Sequence, residues 1–243
     1  MKLNLLNLNN RKLWAVIPAA GSGRRFSKQE LKQYQIIQDK TVLEHTVHRL
    51  TQLPLSGYVL AISKQDNVAQ TLGLSQKDSA HFCNGGAERV DSVLNALNYL
   101  SAFADENDWV FVHDAARPCV SLQSLETLVQ QAVEHDSSAI LAIPVRDTLK
   151  FVENDCNNRI QHTVNREQLW QAQTPQISKL GVLKKAIESA LENNVNITDE
   201  ASALEYINEP VMVVAGRSDN IKITYLDDLE LARLIIQSQN TSI

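Results

Sequence analysis

The chain has little with which to grip nucleic acid or cross a membrane. Aromatic residues make up only 5% of it and its formal net charge is -5, so it offers few stacking platforms and no general basic footprint, which excludes a nucleic-acid binder. No apolar run approaches the length of a membrane span. Cysteine is sparse: Cys83, Cys119 and Cys156 are widely spaced and form no C-x-x-C pair, which indicates neither a disulfide framework nor a zinc site and points to a reducing cytoplasm. Residues 1–12 alternate Leu with Asn and lack both a continuous apolar core and a small-residue cleavage site, so they do not read as a signal peptide. Internal repeats and low-complexity tracts are also missing.

What is present suits a globular enzyme. With 243 residues and 44% hydrophobic content, the chain can bury a sizeable core as a single domain spanning 1–243. Short β-branched runs at 14–17, 58–62, 109–113, 139–144, 211–214 and 221–224 read as strands. Between them lie segments of helical period, such as 90–100, where Val90, Val93, Leu94, Leu97 and Leu100 share a face, and 122–133. Thr198 or Asp199 reads as the N-cap of a helix through Tyr206, with Glu200 favouring its dipole. The alternation implies an α/β fold with a mostly parallel sheet flanked by helices, whose ligands bind at the carboxyl ends of the strands.

The most informative stretch is 14–32, WAVIPAAGSGRRFSKQELK. Pro18, Ala19, Ala20, Gly21, Ser22 and Gly23 form a small-residue loop able to close on a ligand and turn its N–H groups toward phosphate oxygens. Arg24, Arg25, Lys28 and Lys32 follow, answered locally only by Glu30. A dinucleotide fingerprint would need glycine where Phe26 stands, and a P-loop would need Gly-Lys-Ser/Thr after Gly23. A polyphosphate site is the functional reading, and a strand-to-helix turn with solvated arginines is the bland one.

Segment 145–172 breaks the alternation. Two polar alternating runs, 148–152 and 160–164, are joined by turn-rich 153–158, which reads as a β-hairpin inserted in the domain. A lone two-stranded ribbon is marginal in water, so a partner subunit is its expected support, with an ordinary surface excursion as the rival. Other loops carry chemistry too. Asn84-Gly85-Gly86 precedes a helix start containing Ser92 and can present main-chain groups to a base edge. His113-Asp114-Ala115-Ala116-Arg117 offers Asp114 as a ligand for Mg²⁺ on a triphosphate, with helix capping as its alternative. Lys222 lies in the β-branched run 221–224, where a lysine is costly unless it meets solvent or a phosphate. His45 and His48, at i and i+3 with no third ligand nearby, read as solvated.

Taken together the loops resemble one family. PAAGSGRRF, LKQY, TVLEHTV, GGAERVDSV, VHDAARPCV, PVRDTLK, HTVNR, QTPQ, TDEASALE and DNIKIT occur in this order, and the sequence is similar to 2-C-methyl-D-erythritol 4-phosphate cytidylyltransferases from about Trp14 to the C-terminal helix. The resemblance implies a nucleotide-diphospho-sugar transferase-like domain, a β-hairpin arm exchanged within a homodimer, Mg²⁺, and CTP and 2-C-methyl-D-erythritol 4-phosphate as substrates. It implies that the loop from Pro18 to Gly23 surrounds the nucleotide while Arg25 and Lys32 stabilise charge at the α-phosphate. Gly86, Ala87 and Ser92 would read cytosine, Asp114 would sit at the metal, and Ala115 and Arg117 would line the nucleotide and sugar region. Thr148, Arg166 and Thr174 would hold the methylerythritol phosphate, with Lys222 near both substrates. Leu31 stands where many members have proline, and Ala87 and Asn165 where some carry Asp. A ribitol 5-phosphate cytidylyltransferase, or a non-catalytic nucleotide-binding dimer, is the alternative.

Overall fold

The computed structural model describes residues 8–21, 26, 31–153 and 158–241. Its centre is a seven-stranded sheet ordered β11-β7-β10-β6-β1-β4-β5. The strands are β1 (Leu13–Pro18), β4 (Gly57–Ile62), β5 (Ala80–Asn84), β6 (Trp109–Val112), β7 (Ser138–Pro144), β10 (Trp170–Lys179) and β11 (Val211–Ala215). β10 runs antiparallel to both β6 and β7, and every other pairing is parallel. The chain lays β4 and β5 on one side of β1 and then returns to place β6 on the other. Strand order therefore reverses at β1, the place where open sheets of this kind hold ligands.

The alternating side chains of β1 explain why its apolar run is continuous. Leu13, Ala15 and Ile17 pack with Leu43, Val47 and Leu50 of α1 (Val42–Leu50) and Leu125, Leu128 and Val129 of α3 (Leu122–Glu134). Trp14 and Val16 face the opposite layer, with Val93 and Leu97 of α2 (Arg89–Leu100) and Leu183 and Ile187 of α4 (Leu180–Glu192). A strand buried on both faces leaves no room for polar alternation. Helix α5 (Glu200–Tyr206) joins the second layer, with Asp199 as its N-cap as expected. Helix α6 (Leu226–Thr241) covers a third cluster through Ala232 and Ile236.

Two expectations need correction. Residues 221–224 form no strand: the Ile223 N–H donates to Ala116 O at 2.9 Å, and the segment crosses the strand ends instead of joining a ladder. His45 is buried, not solvated, and its Nε2 pairs with Ile37 O at 2.9 Å where α1 packs on the small hairpin β2–β3 (Ile36–Ile37, Lys40–Thr41). His48 is exposed. Two strands of the central sheet, β5 and β10, are absent from the six expected runs. β5 is a half-buried edge with no β-branched residue, and β10 (WQAQTPQISK) is polar and shifts register between Ala172 and Gln176.

The inserted hairpin is present as a separate two-stranded sheet, β8 (Leu149–Val152) with β9 (Ile160–Val164). Its connecting residues 154–157 lie outside the described residues. Leu149, Phe151, Val152 and Ile160 are exposed on it.

Candidate active site

Loops from the carboxyl ends of β1, β5 and β6 enclose a cavity of about 480 Å³. Two close approaches shape it. Gly85 sits where an added Cβ would fall 2.3 Å from Ala20 Cβ, so only glycine lets the loop after β5 lie against the loop after β1. Its N–H continues the β4 ladder to Ile62 O at 2.7 Å. From below, buried Gln33 donates to Ala19 O at 3.0 Å and so ties the LKQY segment to the same loop.

The cavity wall contains Pro18, Ala19, Ala20, Gly21, Lys32, Gly86, Ala87, Ser92, Asp114, Ala115 and Lys222 from the expected set. Ser22, Gly23 and Arg25 lie outside the described residues. Lys32 Nζ donates to Ile223 O at 3.0 Å, which holds its ammonium beside the strand ends. The buried Ser92 hydroxyl accepts from Gly86 N–H at 3.0 Å and donates to Glu88 O at 3.2 Å, so it orders the glycine loop from within. Thr148 and Arg166 are exposed and stand apart from the cavity, Thr148 just before β8 and Arg166 after β9, where Arg166 donates to Arg146 O.

Asp114 is the electrostatic hub. Its Oδ1 accepts from Arg89 Nε at 3.1 Å, and its Oδ2 meets Arg117 Nε at 3.2 Å and Lys222 Nζ at 2.9 Å. Burial alone would raise this carboxyl's pKa, yet Arg89, Lys222 and Arg117 hold it well below the usual carboxylate range. Lys222 thus finds a carboxylate where the sequence suggested solvent or a phosphate. Arg117 is held from behind by donating to Asn220 O at 2.7 Å.

Under Asp114 lies a fixed polar chain. His113 is fully buried, and that burial pushes its imidazole down to about 4, so it is neutral at pH 7. Its Nε2 faces the Arg117 carbonyl at 3.0 Å and must donate; its Nδ1 then accepts from the Thr174 hydroxyl at 3.0 Å. The same hydroxyl accepts from the Asp114 N–H at 3.0 Å. Thr174 therefore sets the Asp114 backbone, and Gln173 and Asn220 continue the network above it.

Sequence reasoning missed Arg89 and Glu200 as site residues. Arg89 lines the cavity and gives both terminal nitrogens to Glu200, at 2.6 and 3.0 Å. The motif GGAERVDS contains the arginine, but no local signal reveals a partner 111 residues away.

As for a metal, no group of three or more His, Cys, Asp and Glu among the described residues could hold one. Asp114 has about four acceptor positions, three of them occupied, which leaves one oxygen contact. With Arg89, Arg117 and Lys222 already on this carboxylate, the described residues alone offer no cation site, and Mg²⁺ fits only as an ion carried by the phosphate oxygens of a triphosphate, with Asp114 as its single protein contact.

Comparison with known proteins concerns the chain as a whole. A family model described as 2-C-methyl-D-erythritol 4-phosphate cytidylyltransferase (IspD) matches residues 13–238. A protein of that name from Acinetobacter baumannii (strain SDF) is 73% identical over 229 residues, covering 94% of this chain and 95% of its own. One from Acinetobacter baylyi is 65% identical over 241 residues, covering 99% and 100%. Among solved structures, the Francisella tularensis 2-C-methyl-D-erythritol 4-phosphate cytidylyltransferase superposes with a TM-score of 0.79 at 39% identity, covering 92% of this chain and 99% of its own.

Proposed function

The chain belongs to the 2-C-methyl-D-erythritol 4-phosphate cytidylyltransferase family, and from that premise we propose how its own residues divide the work. It is a nucleotidyltransferase of isoprenoid precursor biosynthesis: CMP passes from CTP to 2-C-methyl-D-erythritol 4-phosphate, giving 4-diphosphocytidyl-2-C-methyl-D-erythritol and pyrophosphate. The observation that carries the division of roles is the concentration of cations around one small-residue cavity in a chain of net charge -5.

A phosphate monoester oxygen of the sugar phosphate attacks the α-phosphorus of CTP, the bond to the β-phosphate oxygen breaks, and pyrophosphate leaves. Aligning two polyanions and neutralising charge is the main task. The nucleophile is already ionised, since a phosphate's second pKa is near 6, so no general base is needed. His113, neutral and hydrogen-bonded at both nitrogens, offers none. The loop from Pro18 to Gly23 is assigned to the triphosphate and the charges of Arg25 and Lys32 to the reacting phosphate, with Lys222 serving both substrates. Gly86 and Ala87 read cytosine, held in shape by Ser92. Ala115 and Arg117 support the nucleotide side, Arg117 through Asp114. Mg²⁺ would be held by the triphosphate with one contact to Asp114, and supplies further neutralisation there. Thr148 and Arg166 serve the sugar phosphate, and Thr174, whose hydroxyl is taken up by His113 and the Asp114 N–H, acts there only by setting Asp114. Two free thiols among the described residues, Cys83 and Cys119, accord with a cytoplasmic setting.

The test is pyrophosphate release. CTP with 2-C-methyl-D-erythritol 4-phosphate should be turned over, and UTP, ATP or ribitol 5-phosphate should give far less. Equal rates with ribitol 5-phosphate would overturn the substrate assignment.

Arg166 and Thr148 stand apart from their own cavity while apolar residues lie exposed on the arm, and both features support a homodimer in which segment 145–172 serves the other subunit. Deleting 151–161 should convert a dimer to a monomer in light scattering, with CTP still bound and turnover largely lost. A deletion variant that stays dimeric defeats this reading.

A further inference from the structure

Helix α5 has no need of the Glu200 carboxylate. Its first turn already has other acceptors: Asp199 accepts from Ser202 N–H at 3.0 Å, and Gln176 Oε1 accepts from Ala201 N–H at 2.8 Å. Yet Glu200 is 3% exposed, and a buried carboxylate is costly unless paired. Both its oxygens take the terminal nitrogens of Arg89, at 2.6 and 3.0 Å. That uses one N–H of each terminal nitrogen and aims the end of the fork at Glu200, while the Nε–H donates to Asp114 Oδ1 at 3.1 Å and Asp114 Oδ2 takes Lys222 Nζ at 2.9 Å beside Arg117 Nε at 3.2 Å.

We propose that Glu200 is a positioning residue for the transfer reaction, holding Arg89 by its end so that Asp114 keeps Lys222 aimed into the cavity. Arg89, Arg117 and Lys222 share two anions, Asp114 and Glu200. With the Glu200 charge gone, Asp114 is the one anion left to Arg89, and a guanidinium fork matches a carboxylate better than an ammonium does. Arg89 then takes Asp114 with two N–H groups and loosens Lys222. A second cavity of about 370 Å³, lined by Glu88, Arg89, Ile187, Leu191 and Glu200, gives the guanidinium room to turn.

This inference rests on the reading of the first cavity as the transfer site, which wild-type turnover and the Lys222→Met enzyme test by themselves. Given both, Glu200→Gln should lower kcat roughly tenfold with KM for CTP within about twofold, the size of coupling a shared charge network transmits. In a Lys222→Met background the same substitution should cost nothing further. Glu200 and Lys222 do not touch, so this non-additivity is what a purely structural glutamate would not produce. A Glu200→Gln enzyme with normal kcat, or an independent loss in the double variant, overturns the proposal. Melting curves establish that each variant is folded at the assay temperature. Should Glu200→Gln fail to fold, Arg89→Lys carries the test, because it keeps the charge but cannot bridge both carboxylates; it should likewise lower kcat and add nothing to Lys222→Met, and additivity there overturns the proposal equally.

Discussion

Lys32→Met should lower kcat by about two to three orders of magnitude while KM for CTP stays within a few-fold of wild type, the pattern of a charge needed chiefly in the transition state. Methionine keeps most of the side chain's bulk and removes its charge. Negative charge gathers on the α-phosphate as the second oxyanion approaches, and an ammonium fixed beforehand is worth most at that moment because nothing has to reorganise. Lys32 is fixed in this way: its Nζ donates to Ile223 O at 3.0 Å, and its neighbours Gln33 and Tyr34 are anchored to Ala19 O and to Asp66. The competing role is mechanical, with the lysine merely bracing the 222–223 segment. In that case the substitution would lower the melting temperature and raise KM with little change in kcat. Steady-state kinetics beside a thermal melt separates the two, and Arg25→Ala, examined in the same way, should behave as Lys32→Met does.

How legible the fold was depended on which face of each element met the core. β1, β4, β6 and β7 show as apolar runs because helices cover both sides of them over most of their length, so that period-two alternation never arises; β11, an edge strand with Val213 exposed, shows through its β-branched residues alone. β10 shows nothing of the kind. Its Gln173, Thr174 and Gln176 are buried polar residues that hold Asp114, Asn220 and the start of α5, and a strand recruited for such bonds looks like a loop in sequence. The run 221–224 errs the other way. Its β-branched residues serve a single crossing over the strand ends, with Ile223 buried beneath α6 and Lys222 turned to Asp114.

The site divides along the same line. Small residues and local charge announced the loop after β1 and the glycine pair after β5, because a tight approach leaves its mark on the residues that make it. Gly85 against Ala20 is the clearest instance. Long-range pairing leaves no such mark. Arg89 drew no reading of its own and Glu200 read only as a charge favouring a helix dipole, and their joint meaning appears only when folding brings them together beside Asp114. Arg166 and Thr148 stood out through resemblance alone, and within one chain they remain apart from the cavity.

Asp114→Asn should destabilise the protein by about 3 to 5 kcal/mol, a fall in melting temperature of roughly 10 °C, in metal-free buffer without nucleotide. The substitution keeps shape and volume but leaves Arg89, Arg117 and Lys222 facing a neutral amide, and buried charges that lose their partner are costly. An aspartate that existed only to bind a metal would behave in the opposite sense: removing it in the presence of a chelator would leave stability unchanged or raise it. The pH dependence sharpens the test. Burial would raise the Asp114 carboxyl, but Arg89, Lys222 and Arg117 hold it well below its unfolded value near 3.9. The stability it contributes is therefore fully present above about pH 4 and is lost only as the pH falls toward its folded value. The gap between the wild-type and Asp114→Asn melting temperatures should accordingly stay constant from neutral pH down to about pH 5 and narrow below pH 4. Pyrophosphate should close part of that gap, because its oxygens can pair with the cations the asparagine leaves exposed, and a smaller pyrophosphate-induced rise in the variant than in wild type would count against the ion-pair hub.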